Sequence, residues 1–276
     1  MIPAPFEYAR AESIDHAIEL LSANPDSKVL AGGHSLLPLM RLRLARPAML
    51  VDISRIGDLS YVREDSGEVA IGALTRHHDV ANSEVLHELC PIVSYTAGQI
   101  GDPQVRHVGT IGGSCAHSDP ASDMPTVLVA LGATLTVRGP GGASRVVGAS
   151  DFFKGLFEPD LAPNEIVAEI RVPVTRGRGW SYIKFHRRAQ DWALVGVAAL
   201  AGDGGGPAVA LTNMAERPMR AAGVEEALAG GADPATAAMR ADEGTNPPSD
   251  PFGSAEYRRE LAKVLVRRAL EEAAAR

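Results

Sequence analysis

The sequence predicts an α+β protein made of successive parts, and three observations lead there. A short apolar strand at Lys28–Ala31 runs into a glycine pair and an apolar stretch, and a second strand follows at Ala48–Ile53. Residues 1–55 therefore form a small βαβ-like unit with glycines at the strand-to-helix turn. Hairpin and helix signals then mingle as far as Val174. Beyond it, three strand-like runs come in succession and helices follow them, the segregated order of an α+β domain. The expected divisions are 1–55, 56–174 and 175–276.

Element by element, Ser13 caps a helix from Ile14 to about Ser22, with Ile14, Ala17, Ile18 and Leu21 on one face. LSYVREDSGEVAIG is a hairpin around Asp65, Ser66 and Gly67. RHHDVANSEVLHELCPIVSYTAGQI is mostly helical, with Leu86, Leu89, Ile92 and Val93 as its apolar stripe. RHVGTIGGSCAHSDPASD, residues 106–123, reads as a loop. MPTVLVALGATLTVRG is a helix or apolar segment followed by a strand, GPGG at 139–142 is a turn, and Arg145–Val147 returns. DFFKGLF begins a loop or a short helix, and EIVAEIRVPV is an alternating strand ending at Pro173. TRGRG is a linker. WSYIKFHRR, WALVGVAALAG and PAVALTN are the three strands, the last two joined by a GDGGG hairpin loop. Two short alanine-rich helices and a longer one from Ser254 to about Ala275 complete the chain. PATAAMRADEGTNPPSDPFG has the weakest pattern and reads as an exposed loop or an arm on a partner.

Composition narrows the function. The chain has 276 residues, 45% of them hydrophobic and 22% charged, enough for a real core. Its net charge of -7 gives no support to nucleic-acid binding, which needs clustered Lys and Arg. No secretory leader and no apolar run of membrane-spanning length is visible. The expected location is the cytoplasm, free or at the inner face of the membrane. Two cysteines, Cys90 and Cys115, cannot supply the four ligands of an iron–sulfur cluster.

Two glycine segments stand out, AGGHSLLP at 31–38 and GTIGGS at 109–114. Neither has the G-x-G-x-x-G spacing or a following Lys-Ser/Thr pair, which disfavours a kinase or a simple nicotinamide dehydrogenase. Each pairs glycines with a nearby serine. Glycine lets backbone N–H groups converge on an anion, and the hydroxyls add donors. One such loop suits one phosphate; two that face each other suit a diphosphate. The alternative for Gly32 and Gly33 is a tight turn.

AGGHSLLP, GTIGGSCAHSDPASD and YIKFHRRAQDWALVGVAA, in this order and at these separations, resemble the flavin-binding subunits of molybdenum hydroxylases. That group includes the medium subunit of aerobic carbon monoxide dehydrogenase and the FAD domain of xanthine dehydrogenase. The resemblance covers nearly the whole chain. It implies a two-subdomain FAD-binding domain of the vanillyl-alcohol oxidase and MurB type over 1–55 and 56–174, then a C-terminal domain of the carbon monoxide dehydrogenase flavoprotein type. It implies that Ala31, Gly32, Gly33, His34 and Ser35 wrap one side of the FAD diphosphate, and Thr110, Ile111, Gly112, Gly113 and Ser114 the other. It further implies a hydroxyl contact from Asp123, an apolar contact from Ile166 and an approach of Lys184 to the isoalloxazine. His34 departs from relatives that carry glutamine there; Ser35 still follows it.

The resemblance also implies partners: a large subunit with the molybdenum–molybdopterin cofactor and a small subunit with two [2Fe-2S] clusters, as a dimer of heterotrimers. This chain would hold FAD and pass electrons to an external acceptor such as a quinone, NAD or oxygen. It has no recognisable nucleophile–base pair, so no catalytic side chain is assigned, and no metal site. Several residues keep a second reading. Asp123 suits a helix N-cap as well as a cofactor contact. Lys184, on a strand face with Tyr182 and His186, suits a solvated surface as well as the flavin edge. Arg187, Arg188 and Asp191 suit an ion-pair cluster or a subunit contact. Competing classes are a free-standing flavoenzyme with its own substrate pocket and a scaffold that lost the cofactor.

Overall fold

The structure is a computed structural model and describes residues 2–202 and 205–276. Strand β1 (Glu7–Arg10), helix α1 (Ile14–Ala23), strand β2 (Ser27–Leu30), helix α2 (Leu36–Arg41) and strand β3 (Met49–Asp52) come first. The three strands form a parallel sheet in the order β1-β3-β2. The Ser13 hydroxyl accepts from the His16 amide at 3.1 Å, which starts α1, and Ala17, Ile18 and Leu21 face inward. β1 has no strand signal in the sequence: three of its four residues are exposed, and only its pairing with β3 defines it.

Strands β4 (Val62–Asp65) and β5 (Glu68–Gly72) form the expected hairpin. Ser66 and Gly67 both have positive φ, 57° and 84°, as a two-residue turn with the twist of its strands requires. Helices α3 (His77–Ala81), α4 (Glu84–Leu89), α5 (Pro91–Gln99), α6 (Pro103–Val108), α7 (Ile111–His117) and α8 (Asp123–Leu131) follow. Most of the segment read as a loop at 106–123 is thus helical, in α6 and α7. Then come β6 (Thr134–Arg138), β7 (Ser144–Gly148), helix α9 (Ala149–Phe152), the small pair β8 (Phe153–Gly155) and β9 (Glu158–Pro159), and β10 (Ile166–Pro173). The larger strands make an antiparallel sheet in the order β4-β5-β10-β6-β7.

Strands β11 (Trp180–Phe185), β12 (Val195–Leu200), β13 (Ala208–Thr212) and β14 (Met219–Arg220) form an antiparallel sheet in sequence order. Asp203 and Gly204 of the GDGGG turn lie outside the described residues; β12 and β13 pair on either side of it. Helices α10 (Ala222–Ala229), α11 (Pro234–Ala238) and α12 (Ala255–Ala275) complete the chain. α11 falls in the segment read as loop or arm. Its start is fixed by Pro234 and by the Asp233 carboxylate, which accepts from the Ala235 and Thr236 amides.

The continuous apolar run of β12 has a structural cause. Val195, Val197 and Ala199 pack with α12, whereas Ala198 and Leu200 join the core that holds α5, α8 and β10. The sheet is covered on both faces, so no polar alternation survives. Phe152 is fully buried in that second core. Phe152→Ala is expected to lower the unfolding free energy by about 3–5 kcal/mol in urea titrations. Val146→Ala, whose residue is 66% exposed, should change it by less than about 0.5 kcal/mol in the same titration.

Candidate functional site

The two glycine segments meet. A Cβ on Gly32 would lie 2.4 Å from the Val108 carbonyl oxygen and 2.7 Å from the Gly109 Cα, so only glycine allows this approach of backbone to backbone. Gly33 has a φ of +72°, which turns the chain into α2. Among the described residues, no protein group accepts from the amides of Gly32, Gly33, His34 or Ser35, and the Ser35 hydroxyl makes no cap bond. His34 and Ser35 are exposed. Donors left without a protein acceptor are available to an anion.

The second segment is built differently. Thr110 caps α7, its Oγ1 accepting from the Gly113 amide at 3.1 Å. The Ile111 amide donates to the Thr75 carbonyl at 3.0 Å, that of Gly112 to Ala73 at 2.9 Å, and that of Ser114 to Thr110 at 3.0 Å. The amides of 111–114 therefore already have protein partners, and the expected second nest of free amides is instead the first turn of a helix. Gly112 is needed for packing, since a Cβ there would sit 2.5 Å from the Ala73 Cβ. The segment can offer the Ser114 and Thr110 hydroxyls and the helix dipole. Beneath it, the His77 amide donates to the Gly109 carbonyl at 3.0 Å. Burial, helped by the Arg106 charge, pushes the His77 imidazole down to about 4.

Asp123 and Lys184 come together in the interior. Lys184 Nζ lies 2.8 Å from Asp123 Oδ2, with the two side chains 3% and 7% exposed. Tyr182 Oη donates to Asp123 Oδ1 at 2.6 Å, and Lys184 Nζ donates to the Gln99 carbonyl at 3.3 Å. Burial pushes the Asp123 carboxyl up, against the lowering pull of Lys184 and Tyr182, and drives the Tyr182 phenol well above its usual range. Neither second reading holds here. Lys184 is not a surface residue, and Asp123 is not the cap of α8: Ser122 holds that position, and the Asp123 carboxylate is turned to Tyr182 and Lys184. Close by, a cavity of about 440 Å³ is lined by Gln99, Gly101, Arg106, His186 and Gln190 among others. A groove of about 680 Å³ between α1 and the 139–142 turn touches none of the candidate residues. Ile166 is 4% exposed, in the core that packs α1 against β10, and Ala31 of the first glycine segment packs against the same core.

Residues 4–175 match the family model described as the FAD binding domain in molybdopterin dehydrogenase, and 180–273 match the CO dehydrogenase flavoprotein C-terminal domain. The chain belongs to the FAD-binding medium subunits of the molybdenum hydroxylase family. It is 42% identical to the carbon monoxide dehydrogenase medium chain of Afipia carboxidovorans, covering 100% of this chain and 99% of that one. It is also 42% identical to the glyceraldehyde dehydrogenase medium chain of Sulfolobus acidocaldarius, covering 99% and 100%. Among solved structures, a carbon monoxide dehydrogenase from Hydrogenophaga pseudoflava superimposes with a TM-score of 0.96 at 42% identity, covering 100% of this chain and 99% of that chain.

In this medium subunit several contributors escape a reading of motifs. Tyr182 is legible only as a neighbour of Lys184 on an alternating strand. Gln99 acts through its backbone carbonyl, which no side-chain pattern reports. Gly196 sits opposite Lys184 on β12, where a Cβ would fall 2.7 Å from Thr212 Oγ1 and 3.1 Å from Tyr182 Oη. Cys90 and Cys115 are both buried, and burial pushes their thiols up to about 11 and 12. Arg188 pairs with Asp191 at 3.6 Å, while Arg187 lies over the Phe252 ring instead of joining an ion-pair cluster.

Gly32→Ala must displace the Val108–Gly109 backbone. It is expected to weaken FAD binding at least ~10-fold, about 1.4 kcal/mol, in fluorescence titrations of the apoprotein. Gly57→Ala, where a Cβ meets nothing within 4 Å, should bind FAD like the parent. His77 gives a pH prediction. Its folded pKa of about 4 lies below the ordinary 6.5, so the unfolded chain binds the proton more readily. Stability should therefore fall as pH drops from neutrality through the unfolded value toward the folded one. By about pH 4.5 most of that loss, on the order of 2–3 kcal/mol, has been incurred. Chemical denaturation of His77→Phe across that range should show a correspondingly shallower slope than the parent.

Proposed function

We propose that this chain is the FAD-holding electron relay of a complex with a molybdenum–molybdopterin subunit and a subunit carrying two [2Fe-2S] clusters, assembled as a dimer of heterotrimers. It takes electrons from the clusters and passes them to an external acceptor. The observation that carries the reading is the meeting of the Gly32–Ser35 amides, which have no protein acceptor among the described residues, with the backbone just before Thr110. Donors without a lysine or an acid beside them fit a diphosphate held by backbone and hydroxyls. Ala31 to Ser35 hold it from one side, and the Thr110 and Ser114 hydroxyls from the other. Lys184 faces the flavin, where its positive charge favours the electrons the ring accepts. Residues 1–55 and 56–174 act as the two halves of the FAD domain, and 175–276 closes the flavin end.

When bound, FAD supplies a store for two electrons that can be filled one at a time. The chain's own residues hold, orient and tune; none is arranged to attack a substrate. Two buried thiols with raised pKa values are poor cluster ligands, which supports placing the clusters on a partner. The relatives named for carbon monoxide and for glyceraldehyde are equally identical to this chain, at 42%. That equality fits a relay whose substrate pocket lies on another subunit.

Acid denaturation should release one FAD per chain into the supernatant, with no flavin left on the polypeptide. The isolated chain, loaded with FAD under anaerobic conditions, should be bleached by dithionite and reoxidised by a quinone. Carbon monoxide, aldehydes, purines and N-heterocycles should leave its absorbance unchanged until the partners are added. Rapid bleaching of the isolated chain by any of these would replace the relay with a free-standing oxidoreductase.

A further inference from the structure

We propose that Asp123 is a positioning residue for Lys184: with Tyr182 it fixes the ammonium and cancels part of the positive charge presented to the flavin. The proposal rests on the reading that Lys184 faces the flavin. An ammonium has three donors. One goes to Asp123 Oδ2 at 2.8 Å and one to the Gln99 carbonyl at 3.3 Å, which leaves a third. The other Asp123 oxygen is held by Tyr182 at 2.6 Å, so the carboxylate is itself oriented from β11. Behind Tyr182, Thr212 Oγ1 donates to Thr126 Oγ1 at 2.8 Å, and Gly196 leaves the room that these hydroxyls need. His186 is the further titratable group that bears on Asp123.

Sequestered as they are, these groups interact more strongly than surface charges do. One cation and one anion at bonding distance make a nearly neutral pair. Removing the anion exposes the full lysine charge, which stabilises the extra electron density of the reduced ring. If Asp123 only filled space, asparagine, of almost the same shape, would do as well.

The test is the midpoint potential of FAD in the purified subunit, measured by spectroelectrochemistry. Asp123→Asn should raise it by about 30 mV or more, a tenfold change for a two-electron couple. Lys184→Met should lower it. Tyr182→Phe, which keeps both charges but frees the carboxylate, should move it the same way as Asp123→Asn and by less. Burial raises the Asp123 carboxyl and Lys184 holds it ionised, so in the Lys184→Met background the acid takes up a proton and Asp123→Asn should shift the potential by less than half as much as in the parent, the non-additivity of a residue that acts through another. Should Asp123→Asn not fold, Tyr182→Phe decides: no shift there, beside a clear shift in Lys184→Met, overturns the proposal and leaves the flavin reading standing. Equal Asp123→Asn shifts with and without Lys184 also overturn it. If Lys184→Met binds FAD with an unchanged potential, Lys184 does not face the flavin, and both fall together.

Discussion

Among the described ion pairs, that between Lys184 and Asp123 has both of its side chains most fully withdrawn from solvent. Withdrawing two charges from water costs several kcal/mol per ion, and their attraction offsets this only with good geometry and extra hydrogen bonds. Here Tyr182 and the Gln99 carbonyl supply those bonds. The partners come from different elements: Lys184 and Tyr182 from β11, Asp123 from the first turn of α8, Gln99 from the end of α5. The pair can form only if the third sheet lies against the second core in one register. The apolar packing agrees with it, since Ala198, Leu200, Ala208 and Ala210 of the same sheet join that core. Hydrophobic burial brings the layers together, and the charges select among the ways they could slide.

Much of this was legible in the residues. The Ser66–Gly67 hairpin, the Ser13 cap and the three successive strands rest on local signals, and local signals suffice for them. What escaped depended on distant partners. β1 is a strand because β3 lies beside it, not because of its own four residues. α7 escaped because Gly112 and Gly113 read as a loop, while Thr110 caps the helix and Thr75 and Ala73 accept the Ile111 and Gly112 amides. The site divides the same way. The family motifs mark Gly32, Thr110, Asp123 and Lys184, but neither the contact of Gly32 with Val108 nor the pairing of Asp123 with Lys184 has a sequence signature.

The two glycine segments look alike and do different work. In the first, glycine frees amides by turning the chain and lets Gly32 press against a neighbouring backbone. In the second, glycine permits close packing on Ala73, and the amides are spent on the fold itself. A site made this way is rigid on one wall and open to a ligand on the other. The donors it leaves without a protein acceptor among the described residues are backbone groups, which do not titrate. Lys184, by contrast, carries a full charge and is matched by the Asp123 carboxylate. The two kinds of polar group therefore differ in what can change them: the unpartnered amides follow the path of the backbone, whereas the Lys184–Asp123 pair depends on two side chains that a single substitution can unbalance.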